Sequence, residues 1–192
     1  MGVMDDAERI EPATLDEWAA WLAAHHADAR GVWLIAPRRA ADQAFDYESA
    51  VCEALRFGWI DSTVRPIDEQ RVMQWYSPRR KGSMWSRPNK ERVSRLEAEG
   101  RMEPPGRAMV EAAKADGSWS LLDAVDDLIV PPDLEAAFAE QPGSREQWDS
   151  FSPSARKMML TWVVTAKQEA TRAKRVRLIA EKAAVGEKAH AP

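Results

Sequence analysis

The chain of 192 residues contains one cysteine, Cys52, and three histidines. A lone thiol cannot close an intramolecular disulfide, which suits a reducing compartment. No apolar run approaches the ~20 residues that a membrane-spanning helix requires. The start, MGVMDDAERIEP, is acidic and lacks an apolar core, so no secretory leader is expected and a cytoplasmic location is. His25 and His26 are adjacent; on a helix they project about 100° apart and cannot share one ion. Without a Cys-x-x-Cys pair either, no metal site is expected. The natural reading packs His25 beside Trp18 and Leu22 and leaves His26 solvated. Neither Gly-x-Gly-x-x-Gly nor a P-loop occurs, so no nucleotide cofactor of those kinds is implied, and no other cofactor is expected. Cys52 lies beside the buried face of its helix and reads as an inert core thiol.

What is present is uneven. Nine tryptophans in one chain require a large aromatic core, a ligand pocket, or some of each. Net charge is −4, but it alternates along the chain. Residues 1–70 carry 6 basic and 14 acidic side chains, 71–96 carry 8 and 1, 97–149 carry 4 and 13, and 150–192 carry 9 and 3. The sharpest concentration is QWYSPRRKGSMWSRPNKER, residues 74–92, which sets Trp75, Tyr76 and Trp85 among six basic residues. Such a segment either neutralises acidic helices from 97–149 or faces an anion.

Local signals fix the elements. Thr14 with Glu17 is a capping box for a helix whose Leu15, Trp18 and Leu22 share a face. GVWLIA, residues 31–36, reads as a buried strand. Asp46 caps a helix ending at Gly58. WIDSTVR (59–65) and QRVMQWY (70–76) form a hairpin around PIDE. Strict alternation places Trp59, Asp61, Thr63 and Arg65 on one face, and sets Val72, Gln74 and Tyr76 against Arg71, Met73 and Trp75. A helix starting between Ser86 and Asn89 ends at Gly100, and 104–116 is helical. DGSWSLLDAVDDLIVPPD, residues 116–133, reads as an acidic connector. Beyond it, Ser144 with Gln147 offers a capping box, Ser152 with Pro153 opens a helix, and Met158, Met159, Trp162 and Val163 follow one stripe. A final helix over about 170–185 groups Val176, Ile179, Ala180 and Ala183. The fold class is therefore α+β: a small mixed sheet with the 59–76 hairpin covered by helices, then an all-helical C-terminal module.

At FGWIDS, SPRRKGSMWSRPNKERVSRLEAEGRM and SPSARKMMLTWVVTAKQEATRAKRV the chain resembles the YdeI or OmpD-associated (OmdA) family. The resemblance runs from about Tyr47 to Gly186. It departs at Ser62, where glycine is usual, and at Trp75, where a basic residue is common. The local signals divide the chain into a domain over 1–125 with a basic, aromatic loop and a helical module over 126–192; the resemblance implies that this module is OmdA-like and that the role is bacteriocin protection.

The candidate site follows from strand end, loop and helix start converging. Asp61, Gln74 and Tyr76 on the hairpin, Arg79, Arg80 and Trp85 in the loop, and Ser86 and Asn89 at the helix start would hold a small anionic or planar aromatic ligand. Arginine forks and ring faces recognise such groups, and a helix start supplies backbone donors. The reading is a non-catalytic cytosolic stress or antimicrobial-protection protein. One alternative is nucleic-acid binding through the loop and the final helix (Arg172, Lys174, Arg175, Arg177). Another is an enzyme with Asp61 as its acid or base; an ion pair from Asp61 to a nearby arginine is the blander expectation.

Overall fold

The computed structural model describes residues 4–189. They divide into two compact units, one comprising residues up to Ser83 with Pro88–Ser118, the other Met84–Arg87 with Trp119 onward.

The first unit is built on a four-stranded sheet in the order β1-β2-β4-β3, with β1 at Arg9–Ile10, β2 at Val32–Pro37, β3 at Trp59–Pro66 and β4 at Arg71–Pro78. β1 runs parallel to β2; β2–β4 and β4–β3 are antiparallel. The hairpin turn is held by the Asp68 carboxylate, which accepts the Gln70 and Arg71 backbone N–H groups.

One face of this sheet is covered by α1 (Leu15–His25) and α2 (Tyr47–Arg56). Thr14 and Asp46 cap them as their side chains predict. Trp18 and Leu22 are fully buried. The Trp18 indole donates to the Ala50 carbonyl and its ring meets Tyr76 edge-on at 5.2 Å. The histidines reverse their expected roles. His25 is exposed and lies against Trp21. His26 is half-buried, its Nδ1 3.1 Å from the Leu22 carbonyl and its ring against Phe57. As the C-cap residue, His26 folds back on the helix end, where free carbonyls make a polar ring useful.

From Pro88 onward α3 (Arg87–Ala98), together with α4 (Pro104–Asp116), completes this unit. Behind them Glu53, only 2% exposed, is bridged by Arg56 and by Arg101 at 2.5 Å, and Arg56 also reaches Glu103. A buried carboxylate is tolerable only when paired in this way.

The second unit contains α5 (Asp123–Asp126), α6 (Pro132–Ala139), α7 (Ser144–Ser150), α8 (Pro153–Val164) and α9 (Glu169–Ala184). Leu134, Phe138, Trp148, Met159, Val163 and Ile179 pack into its core. Ser152 caps α8 with Pro153 in its first turn, and Val176, Ile179, Ala180 and Ala183 are buried on α9. Two expectations fail. Ser144 is buried inside α7 and donates to the Phe138 carbonyl, leaving Gly143 as the N-cap. Met158 is exposed, because the buried stripe of α8 runs through Ala155, Met159 and Val163 at helical spacing.

Candidate functional site: the two faces of the hairpin

The hairpin register decides what each face carries. Asp61 stands opposite Tyr76, but Val64 stands opposite Gln74, so one extra residue is bulged between Asp61 and Val64. Past the bulge the alternation is inverted. Arg65 lies opposite Met73 and faces away from Asp61, which corrects the strict alternation read from the sequence.

On the helix-covered face, Asp61, Gln74 and Tyr76 form one hydrogen-bonded chain. The Tyr76 hydroxyl donates to Gln74 Oε1 at 3.4 Å, and Gln74 Nε2 donates to Asp61 Oδ2 at 2.9 Å. Tyr47, at the start of α2, donates its hydroxyl to the same oxygen at 3.0 Å. Burial and the Asp61 charge push the Tyr47 phenol up to about 12, and burial raises that of Tyr76 as well. Both therefore stay protonated donors. Arg92 lies 5.7 Å over the Tyr47 ring, donates to Asn89 Oδ1 at 2.6 Å, and grips Glu48 through two nitrogens. Arg95 adds contacts to Glu48 and to the Cys52 sulfur, and burial pushes the Cys52 thiol up, away from reactivity. Arg79 is buried at 5% exposure, its backbone N–H on the Gly58 carbonyl. Burial lowers its guanidinium to about 10, opposed by the Asp61 charge, so it remains a cation at neutral pH. Two neutral donors thus hold Asp61 by hydrogen bonds, where an ion pair was the simple expectation.

The opposite face is different in kind. Trp33, Met73 and Trp75 pack there with Met4, Ala7, Ile35 and Ile67 beside them. Trp75 approaches the backbone so closely that a Cβ on Gly31 would stand 2.1 Å from its ring. Beside Trp75 opens a cleft of about 720 Å³ whose lining includes Arg30, Arg65, Arg80, Asp28, Trp75 and Ser77. Arg65 is fixed 5.0 Å over the Trp33 ring and 3.7 Å from Asp5. Arg30 and Arg80 are exposed and form no ion pair with another described residue.

The eight residues singled out from the sequence are therefore distributed. Asp61, Gln74 and Tyr76 are joined directly, Arg79 feels Asp61, and Asn89 is tied in through Arg92. Arg80 lines the cleft on the other face. Trp85 and Ser86 belong to the second unit, where the buried Trp85 ring lies 5.0 Å from Trp119. The backbone N–H of Arg87 in that unit is taken by Asp126, and its guanidinium by Asp127 at 2.6 Å. Arg30 and Arg65 carry no signal in the sequence that would group them with the site. The bulge that turns Arg65 toward Trp75 leaves no residue-type signature.

A smaller cleft of about 380 Å³ lies between α6 and α9 in the second unit, where Arg172 forms a fork on Asp133 at 2.7 and 2.9 Å. Among the described residues no group of three or more histidine, cysteine or acidic side chains could hold a metal ion. No helix among them is long and apolar enough to cross a membrane.

The chain belongs to the family described as Domain of unknown function (DUF8412), which matches residues 10–109, more than half of its length. Its C-terminal module, residues 127–186, matches the family described as Bacteriocin-protection, YdeI or OmpD-Associated (OmdA). No curated protein and no solved structure matches the chain.

Proposed function

We propose that the protein is a cytosolic, non-catalytic binding protein of bacteriocin-protection type that holds a small anionic ligand against its hairpin and the loop that follows. The observation that carries this reading is the cleft beside Trp75, with three arginines in its lining and a volume in the range of small-molecule sites. Arg65 is pre-positioned by Trp33, and guanidinium forks suit carboxylates and phosphates. The Asp61–Gln74–Tyr76 chain then acts as a clamp: it ties β3 to β4 and to α2 from behind, so that the strands carrying Arg65, Trp75 and Ser77 are rigid. The OmdA module supports the protective context.

Nucleic-acid binding through α9 has less support, because Arg172 is held by Asp133 and Arg175 lies over Trp162 at 5.1 Å. Native mass spectrometry of the purified protein tests the reading, together with bacteriocin survival of cells carrying wild type or Arg80→Gln. A retained small anion that Arg80→Gln loses, with reduced survival, supports it. A ligand retained equally by both proteins contradicts it.

A further inference from the structure

We infer that the ligand of the Trp75 cleft is a phosphate monoester with a hydroxyl-bearing body, an inference that rests on the reading that this cleft binds an anion. Three observations narrow the class. First, the three arginines differ. Arg65 is already engaged by the Trp33 ring and, loosely, by Asp5, with its side chain 44% exposed. Arg30 and Arg80 line the same cleft and form no ion pair with another described residue. Two uncommitted guanidiniums match a dianion, and a phosphate monoester carries a charge of about −1.5 to −2 near neutral pH where a carboxylate carries one.

Second, the cleft is not uniformly cationic. Asp5 and Asp28 also line it; Asp5 stands 3.7 Å from Arg65, while Asp28 forms no ion pair with another described residue. A second anionic group, or the carboxylate of an aromatic acid lying flat across the cleft, would meet this charge. An ionised carboxylate only accepts hydrogen bonds, so the part of the ligand that reaches Asp28 must donate them. Third, about 720 Å³ exceeds what a bare oxyanion fills, so a body must accompany the charged group. Trp75 is 4% exposed, which leaves little of its ring for stacking. The cleft therefore favours polar contacts with the body over a planar aromatic wall.

Calorimetric titration of the full-length protein with a matched series tests this: glucose 6-phosphate, gluconate, glucose, inorganic phosphate and benzoate. Glucose 6-phosphate is expected to bind at least tenfold more tightly than gluconate or benzoate. Arg30→Gln and Arg80→Gln are each expected to weaken it at least tenfold. Both residues are exposed, so unchanged melting temperatures serve as the check on folding. Asp28→Asn is expected to weaken glucose 6-phosphate several-fold while leaving inorganic phosphate unchanged or tighter. Gluconate or benzoate binding as well as the phosphate ester overturns the phosphate assignment and leaves the anion cleft standing. An Asp28→Asn protein that binds the ester as wild type does overturns the role of the hydroxyl-bearing body. No binding by any member of the series, or binding indifferent to both arginine substitutions, overturns the cleft itself.

Discussion

The guanidinium of Arg65 lies 5.0 Å over the Trp33 ring, on the face of the sheet away from Asp61, although only four positions separate Arg65 from Asp61 on one strand. An even spacing would put both on the same face. The bulge between Asp61 and Val64 absorbs one residue and changes that parity, so one strand serves a hydrogen-bonded clamp on one side and an arginine-lined cleft on the other. Because register is set by the Asp68 turn, deleting Thr63 should regularise the ladder and leave Arg65 opposite Met73. The variant is expected to keep the Arg65–Trp33 contact, seen as an unchanged Trp33 indole resonance, and to lose less than ~1 kcal/mol. A shifted Trp33 resonance with a large stability loss would show that the bulge itself sets the register.

Glu53 makes the strongest stability prediction. Its carboxylate is 2% exposed and bridged by Arg56 and Arg101. Removing the carboxylate leaves Arg56 and Arg101, whose side chains are 21% and 43% exposed and can be hydrated, so the cost is about 1–3 kcal/mol. Urea unfolding of Glu53→Ala should show a loss of that size. A loss under ~1 kcal/mol would mean that water reaches the arginines freely.

Gly31 and Trp75 form a fitted pair. A methyl group at Gly31 would overlap the ring, and overpacking of that kind costs about 1–3 kcal/mol. Gly31→Ala should lower stability and move Trp75, weakening anion binding in parallel. Wild-type affinity in a destabilised Gly31→Ala protein would remove Trp75 from the account of the cleft.

Glu48 predicts an acid limb. Hydrogen bonds from Arg92 and then Arg95 hold its carboxyl at about 2, against an ordinary 4.5. The folded value lies below the unfolded one, so the stabilisation is complete above about 4.5 and is lost as pH falls through about 2. Since 44% of the side chain is exposed, solvent screening limits the effect to under ~1 kcal/mol. Unfolding followed between pH 5 and 2 should show a shallower acid decline for Glu48→Gln than for wild type. Parallel declines would contradict this role.

Much of the fold was legible because local chemistry agreed with it. The Thr14 and Asp46 caps, the hairpin around PIDE, Ser152 before Pro153, and the apolar spacing of α9 all point to the elements observed. The site was legible in part. Asp61, Gln74 and Tyr76 could be grouped because strand pairing brings them together. Strict alternation puts Arg65 on the wrong face because a bulge follows from strand geometry and not from residue type. Arg30 could not be connected to Arg80, since their proximity depends on β2 pairing with β4, a tertiary choice. Ser144 resembled a cap, but the left-handed turn at Gly143 moved the helix start back by one residue.

In the proposed binding mode the ligand occupies the Trp75 face and not the Asp61 face. Two-dimensional NMR of the indole N–H, arginine Nε–H and glutamine side-chain amide resonances, during titration with a small phosphate ester, separates the two directly. Occupation of the Trp75 face should give saturable shifts at Trp75, Arg30, Arg65 and Arg80, with the Gln74 amide unmoved. Shifts at the Gln74 amide with Trp75, Arg30 and Arg80 unmoved would contradict it.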